Sequence, residues 1–182
     1  MSTGYSENSS LRRVQVIADY QFGNGAGTAL FPEGCTFIYS TTGRIRQVLF
    51  EGTRLATVRA SDGRLTLGIE GARRVKECLP GYRVVIRDDV AEFVAKGKNT
   101  FAKHVLDADP AIRAGDDVLV VDSGDRLIAC GAAVVSGAEM LAFNYGVAVR
   151  VRQGSEKDAS GKYQPAPDEG DDEEARHECR AD

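Results

Sequence analysis

Three short runs of β-branched and apolar residues, "RIRQVLF", "RLATVRA" and "LTLGI", follow one another with the turn signals "EGT" and "SDG" between them, and this limits the fold more than any other feature. Glycine beside a small polar residue marks a chain reversal, so Ile45 to Ile69 is predicted as an antiparallel meander. The segment "GARRVKECL" then has helical composition and stops at Pro80-Gly81, a pair that ends helices through a missing amide and a free backbone. The first unit is therefore residues 12–80, a small mixed αβ domain with one helix on a mixed sheet.

Residues 81–153 read as a second unit. It opens with the strand "YRVVIR", followed by a helix "VAEFVAKG" that Asp88 or Asp89 can cap and Gly97 can end. Then come "TFAKHVL", the turn "DADPAIRAGDD", the strand "VLVVD", the turn "SGD" and the strand "RLIACGAAVV". A capping-box spacing from Ser136 to Glu139 starts a short helix, and "GVAVRVR" closes the unit. Several strands with two short helices in so few residues suggest a partly closed barrel, and the chain as a whole is α+β.

Ahead of both units, "ADYQFGNGAGTALFPEG" places Gly23, Gly25 and Gly27 after the run from Arg13 to Ile17, which looks like a strand. A dinucleotide loop needs G-x-G-x-x-G, and a nucleotide-triphosphate loop needs a lysine after its last glycine. Neither pattern is present, and Pro32 with Gly34 ends any helix that follows. The expectation is a tight glycine turn that needs backbone freedom.

Net charge is −4 for the 182 residues, unevenly spread. Residues 155–182 hold 10 acidic and 4 basic side chains, leaving 17 acidic and 19 basic before them, so the body is slightly positive. Residues 1–11 and 154–182 are expected to be disordered, the latter as an acidic tail. Arginine outnumbers lysine 17 to 6, which with the tail hints at a GC-rich, salt-adapted source. No apolar run approaches the ~20 residues of a membrane span, and the polar start is not a targeting peptide. A soluble, cytoplasmic protein without membrane contact is expected.

Little in the chain speaks for catalysis. Cys35, Cys78, Cys130 and Cys179 stand singly, without a C-x-x-C pair, and read as reduced, mostly buried thiols. His104 and His177 lie far apart, and no G-x-S-x-G elbow occurs. The expectation is no catalytic residue, no metal and no cofactor. An enzyme would need a pocket of paired titratable groups, and none stands out.

The stretch "AKGKNTFAKHV", residues 95–105, is more informative. Lys96, Lys98 and Lys103 are three of the six lysines, with Gly97 at the helix end, Asn99 and Thr100 as hydrogen-bond donors and Phe101 between them. Such a loop can grip backbone phosphates. It can equally be a solvated helix end whose lysines favour the C-terminal dipole, with Phe101 in the core. Arg44, Arg46, Arg73 and Arg74 of the first unit are further candidates for attracting a polyanion.

Finally, "FVAKGKNTFAKHVLDADPAIRAGDDVLVVDSGDRLIACGAAVVSGAEMLAF" resembles the PUA domain in its archaeal transglycosylase form. "ADYQFGNGAGTALF", "TGRIRQV" and "LATVRASDGRLTLGIEGARR" resemble the domain that precedes PUA in archaeal tRNA-guanine transglycosylase and archaeosine synthase, so the likeness covers residues 13–152. The resemblance implies a pseudo-barrel that binds structured RNA, with the tRNA acceptor stem and 3′ end as its ligand in the transglycosylase. It aligns Lys96 to Lys103 with the turn that approaches RNA, and Gly131, Ala132 and Ala133 with the small-residue strand beside it. It assigns the glycine loop to the accessory domain. The family's catalytic barrel, with its aspartate nucleophile and zinc site, has no counterpart here, so base exchange is not implied. The expected partner is structured RNA, tRNA foremost, with Lys96, Gly97, Lys98, Asn99, Thr100, Phe101, Lys103, Gly131, Arg44 and Arg46 as contacts. The alternative is the detached tRNA-binding subunit of a split transglycosylase or archaeosine synthase, with a catalytic protein as partner. A haloarchaeal source would fit both family and composition.

Overall fold

A computed structural model describes residues 7–156. The first described element is not a strand but helix α1, Glu7–Phe22, so the strand expected at Arg13 to Ile17 and the disorder expected over residues 7–11 give way, while residues 1–6 lie outside the described residues. The alternation of Val14 and Val16 imitates a strand, but the longer period decides. Val14, Ala18 and Phe22, four apart, are buried, whereas Val16 is 60% exposed. Helix α2, Ala26–Leu30, follows, and Phe31 and Pro32 end it as expected.

The glycine loop is the joint between these helices. Gly25 sits at φ 93°, a left-handed position glycine adopts freely, and the Asp19 carboxylate accepts the Gly25 and Gly27 amides at 3.0 and 2.7 Å. Gly27 serves a different need, because a Cβ there would lie 2.4 Å from the Gln15 carbonyl oxygen of α1. Gly27→Ala is therefore expected to cost about 2–3 kcal/mol and Gly25→Ala about 1 kcal/mol, compared by thermal melting.

Strands β1 (Thr36–Tyr39), β2 (Ile45–Phe50), β3 (Thr53–Val58) and β4 (Leu65–Leu67) form an antiparallel sheet in that order. The meander was legible. Strand β1 was not, and the sheet is wholly antiparallel, not mixed. It carries α1, α2 and α3 (Ile69–Cys78), three helices instead of one. Buried Gln21 clasps β4 to α1, donating to the Leu65 carbonyl at 2.9 Å and accepting its amide at 2.8 Å.

The second half is a six-stranded sheet ordered β6-β10-β9-β8-β5-β7. The strands are β5 (Arg83–Ile86), β6 (Thr100–Phe101), β7 (Val105–Ala108), β8 (Asp117–Val121), β9 (Leu127–Ala133) and β10 (Val147–Gly154). Only β5 and β8 run parallel; the other neighbours are antiparallel. The two edge strands, β6 and β7, are consecutive in the chain and joined by a single 3-10 turn, Ala102–His104. That short link draws the edges together, and the sheet curls into a nearly closed barrel. Helix α4, Asp88–Ala95, packs Ala91, Val94 and Ala95 inward, and α5, Gly137–Ala142, starts with the complete Ser136–Glu139 capping box. Asp88 does not cap α4: its carboxylate accepts the Ser123 amide and hydroxyl, and Asp89 pairs with Arg87.

The halves meet through buried polar contacts. Asp117 of β8, almost fully buried, accepts the Leu67 amide of β4 at 2.7 Å and pairs with Arg152 of β10. Burial pushes its carboxyl up, while Arg152 and the Leu67 amide pull the other way. Gln153 accepts from Arg54 at 3.0 Å and from the Ile69 amide at 3.2 Å. The Tyr82 hydroxyl donates to the Gln21 carbonyl at 2.8 Å. Leu119 and Cys130 of the barrel join the core of the first half. The disordered tail expected from residue 154 gives way at its start, because Gly154 is the last residue of β10, and the tail beyond residue 156 lies outside the described residues.

Candidate nucleic-acid interface

The lysine loop is built on the end of α4. Gly97, at φ 89°, donates to the Val94 carbonyl at 2.8 Å, and Lys98 donates to the Phe93 carbonyl at 3.1 Å. This pair of bonds is the Schellman closure, and it requires a left-handed residue at Gly97. The chain then turns directly into β6, which fixes where Lys98 and Phe101 stand.

The predicted contact residues occupy different settings. Lys96 is bound to Glu92 one turn back, which lifts the Lys96 ammonium above its ordinary range and holds the Glu92 carboxyl below its own. Lys98 and Lys103 are exposed and have no ion-pair partner among the described residues. Asn99 is exposed, but its side-chain oxygen accepts the Val151 amide of β10 at 3.1 Å, leaving only its NH2 group for a ligand. Thr100 is 1% exposed and faces inward, so it is not a surface donor. Phe101 is 44% exposed and not part of the core.

Gly131 is buried in β9 opposite Val151, where a Cβ would lie 2.3 Å from the Arg150 carbonyl oxygen. Its lack of a side chain lets β9 and β10 approach, and it presents nothing to a ligand. Arg44 and Arg46 are exposed on the β1–β2 hairpin, in the other sheet, so they form a cluster separate from the loop. Arg73 pairs with Glu70, and Arg74 lies beside Glu70 and over the Phe50 ring at 4.8 Å, which commits both to their own helix surroundings.

One cation was missed. Arg150 on β10 is exposed and has no ion-pair partner among the described residues. Strand pairing sets it beside the loop, because Val149 pairs with Thr100 and Val151 binds Asn99. The available signal was the absence of acidic residues from Met140 to Gln153 and from Lys96 to Leu106, in a chain with 27 of them. Lys98, Lys103, Arg150 and Phe101 thus share one rim of the barrel. Such a rim can hold phosphate oxygens by charge and sugar or base by contact. Among the described residues no cluster of histidine, cysteine, aspartate and glutamate fit to hold a metal occurs, and no helix is long and apolar enough to cross a membrane.

Residues 12–81 match the patch-forming domain C2 of tRNA-guanine transglycosylase, and residues 82–154 match the PUA domain. The tRNA-guanine(15) transglycosylase of Pyrococcus abyssi is 51% identical over 151 residues, which cover 82% of this chain and 26% of that protein. The protein of the same name from Thermococcus kodakarensis is 49% identical over 146 residues, covering 79% and 25%. The chain therefore spans about a quarter of the length of these relatives. A solved structure of a hypothetical protein from Pyrococcus horikoshii superposes with a TM-score of 0.65 at 19% identity, covering 82% of this chain and 92% of that one, a likeness of fold.

Proposed function

The chain belongs with the C-terminal region of archaeal tRNA-guanine(15) transglycosylase, a C2 patch-forming domain joined to a PUA domain, and on that premise we propose that it binds tRNA without catalysing base exchange itself. It grips the acceptor stem and 3′ end through the rim formed by Lys98, Phe101, Lys103 and Arg150. The observation that carries this reading is the sorting of cations. Lys96, Arg73 and Arg87 are paired with nearby acids, whereas Lys98 and Lys103, which flank β6, and Arg150 on the adjoining β10 have no ion-pair partner among the described residues. A free cation loses no ion pair when it meets a phosphate. Arg44 and Arg46 add attraction from the other half.

Titration of tRNA at several potassium chloride concentrations tests the reading. Lys98→Ala and Lys103→Ala are each expected to reduce the magnitude of the salt slope by about 1 or a little less, with unchanged melting temperature. Lys96→Ala should change it less, because its charge is already answered by Glu92. Parent-like binding by both the Lys98 and Lys103 variants at low salt would return the loop to the role of a plain helix end. Gly97→Val opposes the left-handed turn at a cost of about 1–2 kcal/mol. It should weaken binding at high salt more than either lysine change, since the turn positions shape contacts that salt does not screen.

A second reading is favoured by the quarter-length match: the chain serves as the RNA-gripping subunit of a transglycosylase-type catalytic protein. It predicts that the two co-purify at equal stoichiometry, and failure to associate at micromolar concentration would exclude it.

A further inference from the structure

A groove of about 690 Å³ lies across the junction of the two halves, between α3 of the first and α4 of the second. Small side chains create it. Helix α4 lines it with Ala91 and Ala95, one helical turn apart, where longer side chains would close the space against Ile69 of α3. Leu127 and Ile128 at the start of β9 extend this apolar floor. The walls are charged, and most of those charges are already answered: Arg73 by Glu70, Lys76 by Asp125, Arg126 by Asp122 and Glu92 by Lys96. Glu77, Asp88 and Glu156, which also line the groove, have no ion-pair partner among the described residues.

An apolar floor beneath three unanswered carboxylates repels phosphate and favours a segment that brings cations and apolar surface together. The chain supplies such a segment at this place. Ser155 and Glu156 enter the groove, the Ser155 amide donating to the Ile128 carbonyl at 2.9 Å and the Glu156 amide to the Ala95 carbonyl at 3.2 Å. Residues 157–163, "KDASGKY", follow at once and carry Lys157, Lys162 and the Tyr163 ring, against the single acid Asp158. Fully extended they reach about 23 Å, and α4 is about 12 Å long, so they can cover the groove from Ala95 to Asp88. The acidic run over residues 168–174 has the wrong sign for this site and lies beyond the segment.

We propose that residues 157–163 of this chain seat in the groove between α3 and α4 as a strap across the junction, with the two lysines answering Glu77 and Asp88 and the Tyr163 ring covering the apolar floor. The strap is independent of the RNA-binding reading above.

Limited chymotrypsin digestion of the full chain, followed by mass spectrometry, tests it at the bond after Tyr163. Cleavage there is expected to be about 10-fold slower than in a synthetic peptide of residues 155–169, and the ratio should not change when the protein is diluted, because the segment is tethered. Carbodiimide coupling should join Lys157 or Lys162 to Glu77 or Asp88. Glu77→Lys, at an exposed position, should bring cleavage close to the peptide rate with an unchanged melting temperature, whereas Glu77→Asp should keep most of the protection. The double change Lys157→Glu with Lys162→Glu, referred to a peptide of the same sequence, should remove protection without touching the body of the protein. Cleavage of the parent at the peptide rate, or protection that survives both charge reversals, would overturn the strap. Protection that disappears on dilution would give the groove to the same segment of a second copy and overturn seating within one chain.

Discussion

Asp117→Ala is expected to lower the melting temperature by roughly 6–12 °C, corresponding to about 3 kcal/mol in a chain of this size. The carboxylate accepts the Leu67 amide from the first sheet and pairs with Arg152 within the barrel, so its removal strands groups on both sides of the junction. An unpaired buried donor costs its desolvation, and Arg152, only a third exposed, loses its counter-charge. Asp117→Asn keeps an acceptor for Leu67 but not the charge, and should lose about half as much. Thermal unfolding followed by circular dichroism measures both. A melting temperature within a degree of the parent for Asp117→Ala would mean that the halves are held by the other contacts, through Gln153, Tyr82 and the apolar Leu119 and Cys130.

Gly131→Val should cost a similar amount, about 3 kcal/mol, for a different reason. Its new Cβ would meet the Arg150 carbonyl oxygen at 2.3 Å and the Val151 Cα at 2.9 Å, both backbone atoms of the paired strand that cannot rotate away. β9 and β10 would have to separate at the centre of the barrel. Lys98→Ala, by contrast, removes an exposed side chain and should leave the melting temperature alone. The pair of results separates residues that make the rim from those that act on it. A fully stable Gly131→Val would show that the strands can yield, and would reopen a contact role for that position.

The stronger half of the fold was legible because it is written in local patterns. The β2 to β4 meander, the capping box at Ser136 and the glycine stop of α4 each follow from a few neighbouring residues. Helix α1 was misread because five residues around Val14 satisfy both periods, and only the burial of Ala18 and Phe22 chooses between them. Strand β1, TFIY, has no alternation to mark it, and its place at the sheet edge comes from pairing with β2.

The lysine loop was visible as a cluster, but not which of its members are free. Composition and order determined that a basic, acid-free segment follows a helix stop, and that a barrel of short strands surrounds it. Tertiary structure alone decided that Thr100 turns inward, that Gly131 is a packing requirement, and that Arg150 joins the loop from a strand some fifty residues away, whereas the Glu92–Lys96 pair, one helical turn apart, is local. The physical reason is the range of each interaction. Turn, cap and periodicity preferences act within a few residues and can be read along the chain. Burial, charge pairing and strand register are set between segments that meet only after the sheet has curled and brought its two edges together.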